Sequence, residues 1–313
     1  MNDITVSIFI LTYNQEHFIA QTIESILMQK TNFKYQLVIG EDCSTDNTRI
    51  ICEKYVVYNA SRIKLLPSLD KNIGLIANYM RTIKECDGKY IAICDGDDYW
   101  IDENKLQKQV DCLEQNPQFS IVYTNVRKLF PNGEIKDSFV LGQKQNSSFE
   151  DLIFDNFIPS VSVLFKNIQK ESEFPDWIVN FPYGDWPTYL WTIKDRGEIY
   201  FLDEVTAIYR MDIGVSAKIR NVNSAILKFN LGILTYIAND NSFSNKRKVI
   251  AESVFRKKND LMASFNIEKK YVSSLKMLFH LLKNDSKKYS VIKLYLFSVF
   301  KAFKNSIFLS SFS

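Results

Sequence analysis

Short apolar runs recur through the first 125 residues, and amphipathic stretches with helical spacing separate them. Val6 to Leu11, Gln36 to Gly40, Ile63 to Leu66, Tyr90 to Cys94 and Phe119 to Thr124 read as five strands. Glu16 to Met28 sets Phe18, Ile19, Ile23, Ile26 and Leu27 on one helical face. A second helix carries Ile50, Ile51 and Tyr55 after a Thr45-Asp46 cap, and Ile73 to Cys86 and Lys105 to Leu113 complete the alternation. Nearly continuous apolar strands between helices imply a mostly parallel sheet covered on both faces, an α/β fold. Ligands of such sheets bind beyond the carboxyl ends of the strands. The residues that follow each strand are therefore the candidate functional ones.

Those residues are polar after four strands in turn: Thr12-Tyr13-Asn14-Gln15-Glu16, then Glu41-Asp42-Cys43-Ser44-Thr45-Asp46, then Asn72-Ile73-Gly74, then Asp95-Gly96-Asp97-Asp98. Hard divalent cations prefer oxygen ligands, and Mg²⁺ commonly takes one or two carboxylates plus substrate phosphates. Gly96 permits the tight turn that aims two flanking carboxylates at one ligand. An acidic surface turn has the same spelling, but a position at a buried strand's exit, beside Tyr99 and Trp100, favours the metal reading. Tyr13 suits stacking on a nucleobase or packing, and Asp42 suits hydrogen bonding to a base edge or capping a turn. Ser44, Thr45 and Asp46 read as turn and cap. Asp185, between Gly184 and Trp186, suits either a general base with a raised pKa or an N-cap.

Composition narrows the class. Of 313 residues 46% are apolar, enough for a packed core. The 39 basic and 36 acidic residues nearly cancel, which gives no case for nucleic acid binding. Five cysteines (Cys43, Cys52, Cys86, Cys94, Cys112) without a CxxC pair, and two histidines, point to reduced thiols rather than disulfides or zinc. MNDITVSIFIL lacks the basic segment of a signal peptide, so a cytoplasmic location is expected.

The segments VSIFILTYNQEHFIAQTIESILMQ, VIGEDCSTDNT, KNIGLIANYMRTIKECDGKYIAICDGDDYW and YGDWPTYLW together resemble the family 2 inverting glycosyltransferases of GT-A fold. The resemblance is dense over residues 4 to 125 and thinner to 215. It implies transfer of a sugar from a nucleotide-diphosphate sugar, UDP in the first instance, to a hydroxyl of a glycan or lipid-linked glycan, with Mg²⁺ or Mn²⁺. It implies donor-binding roles for Thr12, Tyr13, Asn14, Glu16, Asp42, Asn72, Gly74, Asn78 and Asp95, and metal binding by Asp97. Asp98 holds the metal indirectly or fixes its loop. Asp185 matches the catalytic base, with Gly184 in place of the usual acidic neighbour. In Tyr209-Arg210-Met211-Asp212-Ile213-Gly214-Val215-Ser216, Asp212 stands where the family often has histidine; Arg210 suits a diphosphate contact or a structural salt bridge.

The expected division is a catalytic domain over 1–215, nucleotide-binding to about 125 and acceptor-side beyond it, followed by a helical, basic and aromatic region over 216–313. Within the latter, 286–309 carries Lys287, Lys288, Lys293, Lys301 and Lys304 among aromatic and aliphatic residues. Such a helix suits an anionic membrane surface, packing on the catalytic domain, or a dimer contact. Two other enzyme classes fit less well. A sugar nucleotidyltransferase needs a Gly-rich basic loop where TYNQEH stands, and a dinucleotide oxidoreductase needs G-x-G-x-x-G. A non-catalytic sugar-binding module of the same fold is disfavoured by the intact Asp95, Asp97 and Asp185.

Overall fold

A computed structural model of the chain describes residues 4–138, 143–213, 222–284 and 287–310. Gly214, Val215, Ser216, Ser286 and the side chain of Lys304 lie outside the described residues. Two compact units are present, Met1–Ala217 and Lys218–Ser313.

The first unit is built on a ten-stranded sheet. Its parallel half comprises β1 (Ile4–Thr12), β2 (Lys34–Glu41), β3 (Ile63–Leu65) and β4 (Tyr90–Ile93) in the order β3-β2-β1-β4. The helices between them are α1 (Ile19–Leu27), α2 (Thr48–Asn59) and α3 (Leu75–Ile83). Central β1 lacks alternation because both its faces are covered. Val6, Ile8 and Ile10 join Ile19, Ile23 and Ile26 of α1 in one core, while the Phe9 ring meets Tyr79 of α3 edge-on at 5.3 Å.

Beyond β4 short antiparallel strands join the sheet, so it is mixed, although its long ladders are parallel. The remaining strands are β5 (Tyr99–Trp100), β6 (Phe119–Leu129), β7 (Ile135–Asp137), β8 (Asn146–Ser147), β9 (Leu164–Lys166) and β10 (Glu198–Arg210). β9 lies antiparallel between β4 and β6, so those two run the same way without touching. β10 pairs parallel to β6 and antiparallel to β5. The polar start expected for a helix at Asn146 to Phe149 divides in two: β8, then the single turn α5 (Phe149–Leu152). Ser148 and Asp151 form its capping box. The loop expected over Phe174 to Tyr183 contains a 3-10 turn, Asp176–Asn180.

The helix α4 (Lys105–Gln115) turns Leu106, Val110 and Leu113 into the core at i, i+4 and i+7. Lys105 is buried with them. Its Nζ sits 4.3 Å from the centre of the Trp100 ring and donates to Gln109 Oε1 at 2.7 Å. Burial lowers its pKa from 10.5 to about 7.

In the second unit, α7 (Asn223–Asn239), α8 (Arg247–Ile267), α9 (Tyr271–Asn284) and α10 (Lys288–Ser310) pack with α8 against the other three. Met262, Leu278, Leu281 and Val291 form the core of the last three helices. Among the described residues no helix is long and apolar enough to cross a membrane.

Lys105 binds fewer protons folded than unfolded between about pH 7 and 10.5. Its contribution therefore makes stability rise with pH across that window. Urea denaturation should show this rise in the wild type and a flatter profile in Lys105→Met; equal slopes would contradict it.

Candidate active site

The carboxyl ends of β1, β2 and β4 meet at one edge of the sheet. Thr12 ends β1, and its carbonyl accepts the Asp42 N–H at 3.1 Å. The chain then turns at Asn14, whose φ of 51° is left-handed. Thr12 is 3% exposed, and its Oγ1 is buried without a hydrogen-bond partner. Tyr13 is 40% exposed, so its ring is open to a ligand.

Asn14 and Glu16, expected at the donor, bond the neighbouring loop. Asn14 Oδ1 accepts from Thr45 N at 2.8 Å, and Glu16 Oε2 accepts from Asn47 N at 3.1 Å and Asn47 Nδ2 at 2.7 Å. Asp46 Oδ1 takes the Thr48 N–H at the start of α2, while the N-cap position itself falls on Asn47.

Asp42, expected to read a base edge, is likewise bonded by a neighbouring loop. Its Oδ1 accepts from Ile73 N at 2.8 Å, and its Oδ2 accepts from Asn72 Nδ2 and Gly74 N, each at 2.9 Å. At 2% exposure, this carboxylate fixes the loop that leads into α3. Asn72 is thereby engaged with Asp42, and Gly74, at φ 87°, supplies the left-handed turn before the helix. Asn78 is buried under the site, where Nδ2 donates to Gly40 O at 2.7 Å and ties α3 to β2.

The D-G-D-D loop after β4 closes on the same edge. Gly96 N donates to Leu11 O at 3.0 Å, and Thr22 Oγ1 donates to Gly96 O and Asp98 O at 3.0 and 2.7 Å. A Cβ at Gly96 would stand 2.9 Å from Thr12 Cβ and 2.3 Å from Gln15 Oε1, so only glycine fits. Asp95 Oδ2 accepts from Ser160 Oγ at 3.2 Å. Burial, then the charges of Asp97 and Asp185, push the Asp95 carboxyl up to about 7. Residues 88 positions apart in the chain thus act on one half-buried carboxyl.

Asp98 is 2% exposed, and its Oδ1 accepts the Arg210 N–H at 2.8 Å. Burial and the neighbouring Asp97 and Asp95 push its carboxyl well above the usual range. Of the two roles open to Asp98, its contacts are those of a residue that fixes the loop. Arg210 forms no carboxylate salt bridge among the described residues. Its guanidinium lies 4.7 Å from the ring centres of both Phe18 and Tyr99, and donates to Asp97 O and Gln21 Oε1. Asp212 has the left-handed φ of 59°.

Asp185 is the first residue of α6 (Asp185–Thr192). Gly184 is the N-cap, and no side-chain cap bond forms, so the capping reading of Asp185 is set aside. Asp185 Oδ2 accepts from Asn156 Nδ2 at 2.8 Å. The departure at Gly184 has a steric cause, because a Cβ there would lie 2.8 Å from the Tyr79 ring. Burial, and after it the Asp185 charge, raises the hydroxyl pKa of Tyr183 and Tyr189. Tyr79, also raised by burial, donates to Thr188 Oγ1 at 3.1 Å. Ser160, Asn156 and the tyrosines were not singled out in the sequence. They come from loops or a buried helix face, where no local pattern marks them.

The crowding of Asp97 and Asp185 around Asp95 is a test of whether a divalent cation fits here. Among the described residues no three His, Cys, Asp or Glu side chains are grouped to hold a metal by themselves. A cation at Asp97 would need substrate oxygens to complete its shell, which is the habit of Mg²⁺. The negative charge already concentrated there suits that arrangement.

Residues 7–167 match the family model described as glycosyl transferase family 2. The dTDP-rhamnosyl transferase RfbG of Shigella flexneri is 30% identical over 260 residues, 75% of this chain and 86% of that protein. Uncharacterized mycobacterial relatives are 32% identical over 66% of this chain, and the match spans 58% of their length. Staphylococcus aureus TarS 1–349, solved with UDP-GlcNAc, superposes with a TM-score of 0.64 at 16% identity, over 97% of this chain and 92% of that one. The mannosyltransferase PcManGT of Pyrobaculum calidifontis, solved with GDP-Man and Mn²⁺, gives 0.59 at 12% identity, over 96% and 86%. At these identities the two structures establish the shared fold.

Removing the guanidinium should loosen the D-G-D-D loop. Arg210→Ala should lower stability by about 2 kcal/mol, from two lost ring contacts and two lost charged hydrogen bonds. Arg210→Lys should not restore it, because lysine lacks the planar fork. An unchanged urea midpoint in Arg210→Ala would remove the bracing role.

Proposed function

The chain belongs to glycosyl transferase family 2, and from that premise we propose that it transfers a sugar from a nucleotide-diphosphate sugar to an acceptor hydroxyl with inversion. The observation that carries the reading is the gathering of half-buried Asp95, held by Ser160, with Asp97 and Asp185 at the strand ends, where each of the latter raises the Asp95 carboxyl. That position suits a donor diphosphate on one side and an acceptor on the other.

Asp185 is the general base in this reading. It is half-buried, and Asn156 orients one oxygen. The acceptor O–H gives its proton to Asp185 as the acceptor oxygen bonds to the anomeric carbon. The bond from that carbon to the diphosphate oxygen breaks, and its electron pair leaves with the nucleotide. Attack opposite the leaving group inverts the configuration. Asp97 would hold Mg²⁺ or Mn²⁺, which when bound offsets the negative charge of the diphosphate. Thr12 Oγ1 and Tyr13 face the nucleotide, while Asp42, Asn72, Gly74 and Asn78 shape the pocket by holding its loops. Asp95 stands beside the ribose.

The donor is UDP-linked in the first instance; a dTDP-sugar is the natural second candidate, given the name of the Shigella relative. The acceptor is a surface glycan or a lipid-linked glycan met on the cytoplasmic side of a membrane.

A panel of nucleotide-sugars with Mn²⁺, followed by release of free nucleotide, tests the activity. Asp185→Asn should lose about a thousandfold in transfer, within the range for a positioned base, with donor binding by calorimetry nearly unchanged. Asp97→Ala should instead abolish Mn²⁺-dependent donor binding. Full transfer by Asp185→Asn would exclude it as the base.

A further inference from the structure

Within the second unit an apolar face is left uncovered by that unit's own described residues. Val272, Phe279, Leu296, Phe297, Phe300 and Phe303 are each more than half exposed. On α10, Leu296, Phe300 and Phe303 follow one another at helical spacing, opposite the buried Val291, Ser298 and Ala302. On α9, Val272 and Phe279 lie away from the buried Leu278 and Leu281. The Tyr271 ring stacks on Phe303 at 6.4 Å with the planes 14° apart, so the two stripes meet. Contiguous exposed aromatics on this scale mark an interaction surface.

Charge selects the occupant. From Lys269 to Ser313 the sequence holds nine lysines and a single acidic residue, Asp285. Lys276, Lys283, Lys288, Lys293 and Lys301 are exposed on the same two helices as the aromatics. Lysine stems can lie along apolar surface while the ammonium reaches outward. A second copy would bring nine more lysines against these, and like charges would oppose the contact. Neither helix is apolar enough to cross a bilayer. A surface that offers hydrocarbon beneath a negative layer satisfies both features together.

We propose that α9 and α10 dock this face on an anionic lipid bilayer, with the aromatics at the acyl boundary and the lysines among the headgroups. The inference deepens the proposed function by naming where a lipid-linked acceptor is met, and rests on that reading only for the acceptor.

The test is co-sedimentation of the full chain with vesicles of equal parts phosphatidylglycerol and phosphatidylcholine, against phosphatidylcholine alone. Binding to the anionic vesicles, weakened by salt, is expected. Partitioning should fall at least about tenfold in Phe297→Ser/Phe300→Ser and in Lys293→Glu/Lys301→Glu. Circular dichroism checks the fold, and the lysine pair, being exposed, keeps the test decisive if the phenylalanine pair unfolds. Failure of the wild type to bind, or binding by folded variants equal to wild type, overturns the proposal. So does sedimentation equilibrium showing a wild-type dimer that the phenylalanine substitutions dissolve. The assay uses neither donor nor acceptor, so a negative result leaves sugar transfer standing, and a failed transfer assay leaves membrane docking standing.

Discussion

The D-G-D-D loop carries three carboxylates in four residues, and something must hold them together against their own repulsion. That restraint is an exchange between the loop and the end of β10, 112 residues away in sequence. Asp98 accepts the Arg210 amide, and the Arg210 guanidinium returns to the Asp97 carbonyl from between two rings. Bonds of this kind gain strength where water is excluded. The rest of the edge is built around it: Trp100 N donates to Ser25 Oγ and its indole to Val161 O, which ties the following strand to α1 and to the segment before β9. Asp97 is left at a fixed place with its charge beside Asp95.

Asp185 approaches from a separate direction, and its placement explains an irregularity in the family pattern. The usual acidic residue before the base cannot be accommodated, since the Tyr79 ring occupies the space a side chain at 184 would need. Tyr79 in turn packs on Phe9 of the central strand and bonds Thr188 of α6. One tyrosine therefore couples the sheet, α3 and the helix that begins at Asp185. Glycine at 184 follows from that packing.

Much of this was legible in the sequence because burial on two faces leaves a simple signature. β1, β2 and β4 are apolar almost without interruption, and the polar residues after them do gather at one edge. The signature fails where geometry is set from a distance. β9 is three residues long, too short to show periodicity, yet it makes the sheet mixed. Asn14, Glu16 and Asp42 have side chains suited to a ligand, and loops adjacent in space bond their oxygens, which the sequence does not show. Sequence identifies a residue's hydrogen-bonding capacity; only the fold decides which donor reaches it. Arg210 is the clearest case, because a cation near a diphosphate site and a cation bracing that site are spelled alike.

What remains for a ligand can be read from the polar atoms the protein leaves unsatisfied. A buried polar group without a partner costs about 1–3 kcal/mol, and folds rarely tolerate several close together. Here Thr12 Oγ1 and Gln15 Oε1 are such atoms, and both border Gly96 at the heart of the D-G-D-D turn. The Tyr189 hydroxyl is another, fully buried and within the field of Asp185 and Asp95. Asn78 Oδ1 is a fourth, beneath the loop that Asp42 holds. The loops around them are heavily cross-bonded, so the deficit does not come from loose packing. Arg81 Nε and Asn266 Oδ1 are unsatisfied as well, so among these atoms it is Thr12 Oγ1 and Gln15 Oε1, at the strand ends beside Gly96, that bear on the proposed donor site.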